Sequence, residues 1–133
     1  MEWSDMNTER LVEGAEFLEQ LELKPGDEFD INRFVERDCG TAACALGWMA
    51  IHGMFGLVVN GGEHIKLRFT ETYGFWAAQE VFDITRPEAH WLFLGGSYPY
   101  THQGVSKEMV AARMRWLAAG GKIDNPKEDS DAG

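Results

Sequence analysis

Between Ala42 and Ala50 the chain runs Ala-Ala-Cys-Ala-Leu-Gly-Trp-Met-Ala, a helical segment that is small-sided and apolar on every face. A helix of that kind is buried, because no side of it gains from contact with water. Any compact fold of this chain has to wrap its other elements around this segment. The pattern therefore predicts a central helix from Ala42 to about His52, entered through Asp38-Cys39-Gly40-Thr41 with Thr41 as its cap.

The wrapping elements are mostly helical too. Asn7 or Thr8 caps a first helix that runs to about Leu23. Leu11, Gly14, Ala15, Phe17, Leu18 and Leu21 share one apolar stripe. Glu9, Glu13, Glu16 and Gln20 take the opposite face, with no lysine among them. Lys24-Pro25-Gly26-Asp27 ends that helix. Phe29 to Val35 reads as a short helix capped by Asp30, turning Ile31, Phe34 and Val35 inward. Asn60-Gly61 between Leu57-Val58-Val59 and His64–Phe69 is a hairpin signal, with Ile65, Leu67 and Phe69 on one face of the second arm. From Thr70 or Thr72 to Phe82 the pattern is helical and apolar nearly all round, which predicts burial. Thr85-Arg86-Pro87-Glu88 is a capping box opening a short helix that stops at Gly95-Gly96. Ser106 caps a last helix with Val110, Met114, Leu117 and Ala118 inward, and Gly120-Gly121 ends it. Met109 and Trp116 lie off that stripe, either packed on a second element or exposed as an apolar contact.

The expected fold is thus mainly α (α+β): five or six helices around one core with a single β-hairpin. Residues 1–121 form one globular domain of ordinary size, and residues 122–133 a polar, disordered tail. Net charge is −10, and residues 1–38 alone hold twelve acidic and four basic side chains. A field of that sign repels phosphate backbones, so direct nucleic-acid binding is not expected, whereas a protein partner with a basic surface is. No apolar run approaches the roughly 18 residues of a membrane span, and the acidic N-terminus lacks a signal-peptide layout. With two cysteines the expectation is a cytoplasmic protein, with no membrane contact and oligomerisation open.

The most distinctive stretch is Cys39-Gly40-Thr41-Ala42-Ala43-Cys44-Ala45-Leu46-Gly47, preceded by Phe29-Asp30-Ile31-Asn32-Arg33-Phe34. It resembles the C-G-T-x-x-C-x-x-G motif, preceded by F-D-x-x-x-[FW], of a broad set of small bacterial and bacteriophage proteins. Ala-Gly often stands there in place of Leu46-Gly47. The resemblance implies a bacterial or phage setting, with the host cytoplasm as the location of a phage protein. It implies no catalytic residue and no cofactor.

Three chemical readings of that stretch compete. A helix N-terminus lowers a thiol pKa, which makes Cys39 or Cys44 a candidate nucleophile with His52, His64, His90 or His102 as base. Cys39, Cys44 and His52 are weak zinc candidates, since C-x4-C-x7-H fits no closed site and lacks a fourth ligand. In the third reading both cysteines are small buried residues. Backbone N–H groups at Gly40 and Thr41 can hold an anion, as any helix start can. Tyr98, Tyr100 and His102 form a loop that either faces a ligand or folds back over the core. Glu80 and Glu88 make a poor acid–base pair because Glu88 already serves as a cap.

Three functions follow. The favoured one is a non-enzymatic protein-interaction module, such as a phage inhibitor of a host protein, using Glu9, Glu13 and Glu16 with Met109 and Trp116. The second is a small-molecule or nucleotide binder with a pocket between the Cys39–Trp48 stretch and the Tyr98–His102 loop. The third is a thiol- or zinc-dependent enzyme.

Overall fold

The structure, a computed structural model, describes residues 7–31, 35–36, 42–61, 64–99 and 104–123. Helix α1 spans Thr8–Gln20 and is opened by Asn7, whose side chain accepts a hydrogen bond from the Arg10 amide at 3.1 Å. That cap satisfies one of the donors every helix start leaves over. Leu11, Gly14, Ala15 and Leu18 are buried, and Leu21 follows them inward, so the apolar stripe read from the sequence is the core face.

Glu28–Phe29 and Val35–Glu36 are strands, where a short helix is expected over Phe29–Val35. Strand β1 (Glu28–Phe29) runs parallel to β3 (Ala42–Ala43), and β2 (Val35–Glu36) pairs antiparallel to β3 on its other side. Two-residue strands have little intrinsic preference, so tertiary contacts decide: Ile31, Val35 and Ala43 are buried, and the Asp30 amide donates to the Ala43 carbonyl at 2.9 Å. Phe34 lies outside the described residues. Pairing of Ala42 and Ala43 also shortens the central helix. Helix α2 spans Ala45–Ile51, and its N-cap is Cys44, not Thr41. All of Ala45 to Ala50 is buried, as a central helix requires. Trp48 ties it to β1 by donating from Nε1 to the Glu28 carbonyl at 3.1 Å.

A 3-10 turn at Met54–Gly56 leads into the hairpin of β4 (Leu57–Asn60) and β5 (His64–Leu67), in register Leu57↔Leu67 to Asn60↔His64. Phe69 does not continue the β5 face. Thr70 returns to the Leu67 carbonyl through both its amide and its hydroxyl, and the turn holds Phe69 at φ 65°, 93% exposed. Tyr73 then bridges Lys66, which keeps residues 70–73 extended and delays helix α3 to Gly74–Phe82. Only part of α3 is enclosed: Ala77, Ala78, Val81 and Phe82 are buried, but Trp76 is 60% exposed.

Helix α4 (Arg86–Phe93) carries the expected capping box. Thr85 Oγ1 accepts from the Glu88 amide, and the Thr85 amide donates to Glu88 Oε1 at 2.9 Å. A 3-10 turn at Gly95–Ser97 follows. Helix α5 (Lys107–Ala118) is capped by Ser106, whose Oγ accepts from the Met109 amide at 3.2 Å. It ends in a Schellman motif: Gly120 at φ 103° donates to Leu117, and Gly121 donates to Trp116.

Five α-helices and one hairpin, with the small three-stranded ladder, enclose a core built on Leu11, Leu18, Met49, Phe82, Phe93 and Met114. The mainly α architecture with a hairpin is as expected from the sequence. The broadest helix contact is α1 against α5. Gly14 lies at that crossing, where a Cβ would sit 2.7 Å from Met114 Cε and 3.0 Å from Met49 Cε. Helix α5 also relieves the acid of α1. Arg115 forms a two-pronged pair with Glu19 at 2.8 Å, and Lys107 Nζ donates to the terminal carbonyl of Leu18 at 2.8 Å. The lysine missing from the acidic face of α1 is made up for by cations of a distant helix. Among the described residues no helix is long and apolar enough to cross a membrane.

Candidate functional site

The residues singled out from the sequence fall in four separate places. Cys44 is 1% exposed at the N-cap of α2. Two effects oppose each other there. Burial penalises the thiolate and wins, pushing the thiol up to about 11, while the nearby Gly47 and Leu46 amides offset only part of it. His52 sits exposed at the other end of the same helix, eight residues on, or about 12 Å at the usual helical rise. Its ring packs edge-on to Phe17 at 5.1 Å. Cys44 and His52 therefore share no site. Cys39, Gly40 and Thr41 lie outside the described residues, as do Tyr100 and His102.

Tyr98 takes the folded-back alternative. It is 7% exposed, and its hydroxyl donates to the Leu92 carbonyl at 2.6 Å. The Arg113 guanidinium covers its ring at 3.6 Å and the Trp91 ring at 4.3 Å, while donating to the Trp91 carbonyl at 2.6 Å. Arg113 thus closes the C-terminus of α4, and Tyr98 is not a contact surface. Met109 is half-buried, with its sulfur accepting from the Ser106 amide at 3.5 Å. Trp116 stacks at a tilt on Trp91, 5.2 Å between centroids, and the Gly121 backbone lies against its ring. It stays 45% exposed. Glu9, Glu13 and Glu16 face water on α1.

The concave site is elsewhere. A cleft of about 340 Å³ opens where the start of β5 meets α3 and α4, lined by His64, Ile65, Tyr73, Gly74, Phe75, Trp76, Gln79, Arg86 and His90. That is near the lower end of the roughly 300–1,000 Å³ of small-molecule sites. Each element contributes for a local reason. The bridge from Tyr73 to Lys66 brings the first turn of α3 against β5. Phe75 and Trp76 stand one turn before Gln79, so the three share a wall at helical spacing. Arg86 and His90 are four apart on α4 and face the same opening. Phe75 and His90 meet edge to face at 5.1 Å, which locks the two helices at the rim.

Compared with known proteins, the chain matches no family model, no curated protein and no solved structure. Its function has to be read from this geometry.

Two features set the cleft apart from the rest of the surface. In a chain of net charge −10, none of its lining residues is acidic among the described residues, and three carry or can accept positive charge. The second feature is Gln79, whose Nε2 is buried with no hydrogen-bond partner among the described residues. An amide donor shut away from water without an acceptor costs about 1–3 kcal/mol. Native structures hold few such groups, and they gather where something else supplies the acceptor.

Sequence reading missed this site for a definable reason. Tyr73, Phe75 and Trp76 were absorbed into an all-round apolar helix, which implies burial. The sequence offers His64 and His90 only as candidate bases for Cys39 or Cys44, one on the outer face of a hairpin arm and the other within a short helix. The signal available was Gln79 among those aromatic side chains: a polar residue at the spacing of an apolar face is either a defect or a site.

Proposed function

We propose that the protein is a binding module whose recognition site is the cleft between β5, α3 and α4, and that its ligand is a small molecule. The orphaned Gln79 Nε2 supports this reading above all else. Nε2 is closed off in the free protein, so a ligand engages it once the Gln79 side chain turns toward the cleft, and an acceptor there recovers the desolvation penalty. The wall is apolar enough to reward burial, since Tyr73, Phe75 and Trp76 supply three rings, and the polar groups are few and convergent. This relocates the small-molecule reading from the Tyr98–His102 loop to the opposite use of α4. A fragment library screened by thermal shift tests it. Binders should raise the melting temperature of the native chain and not of a Gln79→Leu, Trp76→Ala variant; a library without any hit that depends on those residues contradicts it.

A second reading concerns a protein partner with a basic surface, of the kind a phage-encoded inhibitor would meet in its host. Glu9 and Glu13 are exposed and form no ion pair among the described residues, while Glu16 lies in the field of Arg115. Such a contact weakens with salt. Capture from bacterial lysate by the native chain, lost in a Glu9→Gln, Glu13→Gln, Glu16→Gln variant, supports it; equal capture by both contradicts it.

A further inference from the structure

We infer that the cleft between β5, α3 and α4 selects a planar ring that carries an anionic group. This rests on the small-molecule reading above and adds the class of ligand. The two halves of the cleft ask for different chemistry. Tyr73, Phe75 and Trp76 present flat faces and edges, and Trp76 is 60% exposed at the opening, ready to be covered. Stacking a ring there buries area that water now wets and adds the offset or edge-to-face geometry that aromatic pairs favour.

The other half is cationic. Arg86 is half-buried at the cleft and forms no ion pair among the described residues. Glu88, the nearest carboxylate along α4, is engaged with the Thr85 amide at 2.9 Å. A guanidinium left open beside His64 and His90 is arranged for a carboxylate or phosphate, which it can grip with two parallel hydrogen bonds. The chain's overall negative charge does not forbid this. Its excess lies on residues 1–38, and the carboxylate at the cleft's aromatic side is that of Glu71, 3.5 Å from the Tyr73 hydroxyl. Gln79 shares the wall of Phe75 and Trp76, and its enclosed amide reads a ring heteroatom once the side chain turns toward the cleft.

A cleft of about 340 Å³ holds one ring system with a short charged arm, and it is open, so the rest of a longer ligand would extend into solvent. Two sources share this chemistry, a nucleoside monophosphate and an aromatic carboxylate, and titration separates them.

The test is calorimetric titration of the full chain with four probes: adenosine 5′-monophosphate, adenosine, inorganic phosphate and indole-3-acetate. Ring and anion joined should bind at least about tenfold tighter than ring or anion alone, the scale of one charge-assisted hydrogen bond. Whichever joined probe shows that gain identifies the source. Arg86→Gln should remove the gain, bringing the joined probe to the affinity of adenosine for the same variant, Arg86→Lys should restore part of it, and Trp76→Ala should weaken every ring-bearing probe. Circular dichroism melts of each variant separate loss of fold from loss of contact. Joined probes binding no tighter than adenosine, or an affinity indifferent to Arg86→Gln, would overturn the anionic class while leaving a neutral ligand in the same cleft. Failure of every probe, together with an empty fragment screen, would remove the cleft reading itself.

Discussion

Replacing Gln79 by methionine should make the free protein more stable and its cleft useless. The side chain stands on α3 with Nε2 buried and unpartnered, and methionine has a similar length with a flexible thioether that fills the same space. Removing an unsatisfied donor returns its desolvation cost, about 1–3 kcal/mol for a fully enclosed group. Gln79 is only partly buried as a whole residue, so the lower end applies, about 1 kcal/mol. Unfolding entropy near 60 °C is about 2.1 cal/mol/K per residue, so 133 residues convert that to a rise of about 4 °C in melting temperature. Calorimetric melts of the native chain and Gln79→Met measure it directly, and a fragment screen on both reports the loss of binding. A higher melting temperature with lost binding is the signature of a site that trades stability for function. A lower melting temperature for Gln79→Met would show that Nε2 already has its acceptor, and the main support for the cleft would be gone.

Other outcomes follow from the interior. Cys44 should resist iodoacetamide in the native chain at pH 8 and react only on unfolding; full native labelling of that residue would contradict its burial. Its thiol holds a proton up to about 11 when folded, against the usual 9.0, so between those values the unfolded chain binds fewer protons and stability falls as pH rises. The loss amounts to about 2–3 kcal/mol, should be absent from Cys44→Ala, and is measured by urea melts across that window. Burial likewise raises the Tyr98 phenol, which adds to the alkaline loss. Tyr98→Phe leaves the Leu92 carbonyl without its donor and should cost about 1–2 kcal/mol in the same melts. Arg113→Lys should cost about 1 kcal/mol because lysine cannot both stack on Tyr98 and fork to the Trp91 and Ser97 carbonyls, whereas Arg115→Ala at the exposed Glu19 pair should change little.

The helices were legible where the sequence carries its own punctuation. Asn7, Thr85 and Ser106 each cap the helix they were expected to start, and the stripe from Leu11 to Leu21 faces the core. The hairpin was legible from Asn60-Gly61 for the same reason: the signal is local. What depended on distant pairing was not. Glu28–Phe29 and Val35–Glu36 become strands because Ala42 and Ala43 offer both edges, and nothing within Phe29–Val35 states that. Phe69 leaves its strand because Thr70 and Thr72 close a turn behind it. The cleft joins His64 to His90 across three elements, so no motif of fixed spacing could announce it. The cysteine stretch drew attention as an unusual sequence, yet its second sulfur is interior packing at the start of the central helix.

The most direct test is a two-dimensional ¹H–¹⁵N spectrum of the protein during titration with a ring-bearing anion, read at the Gln79 side-chain amide. That pair of resonances should move together with the backbone amides of His64, Trp76 and Arg86, while those of α1 and α5 stay in place. Perturbations confined to α1 or α5, with the Gln79 amide unmoved at saturation, would contradict the assignment of the cleft as the binding site.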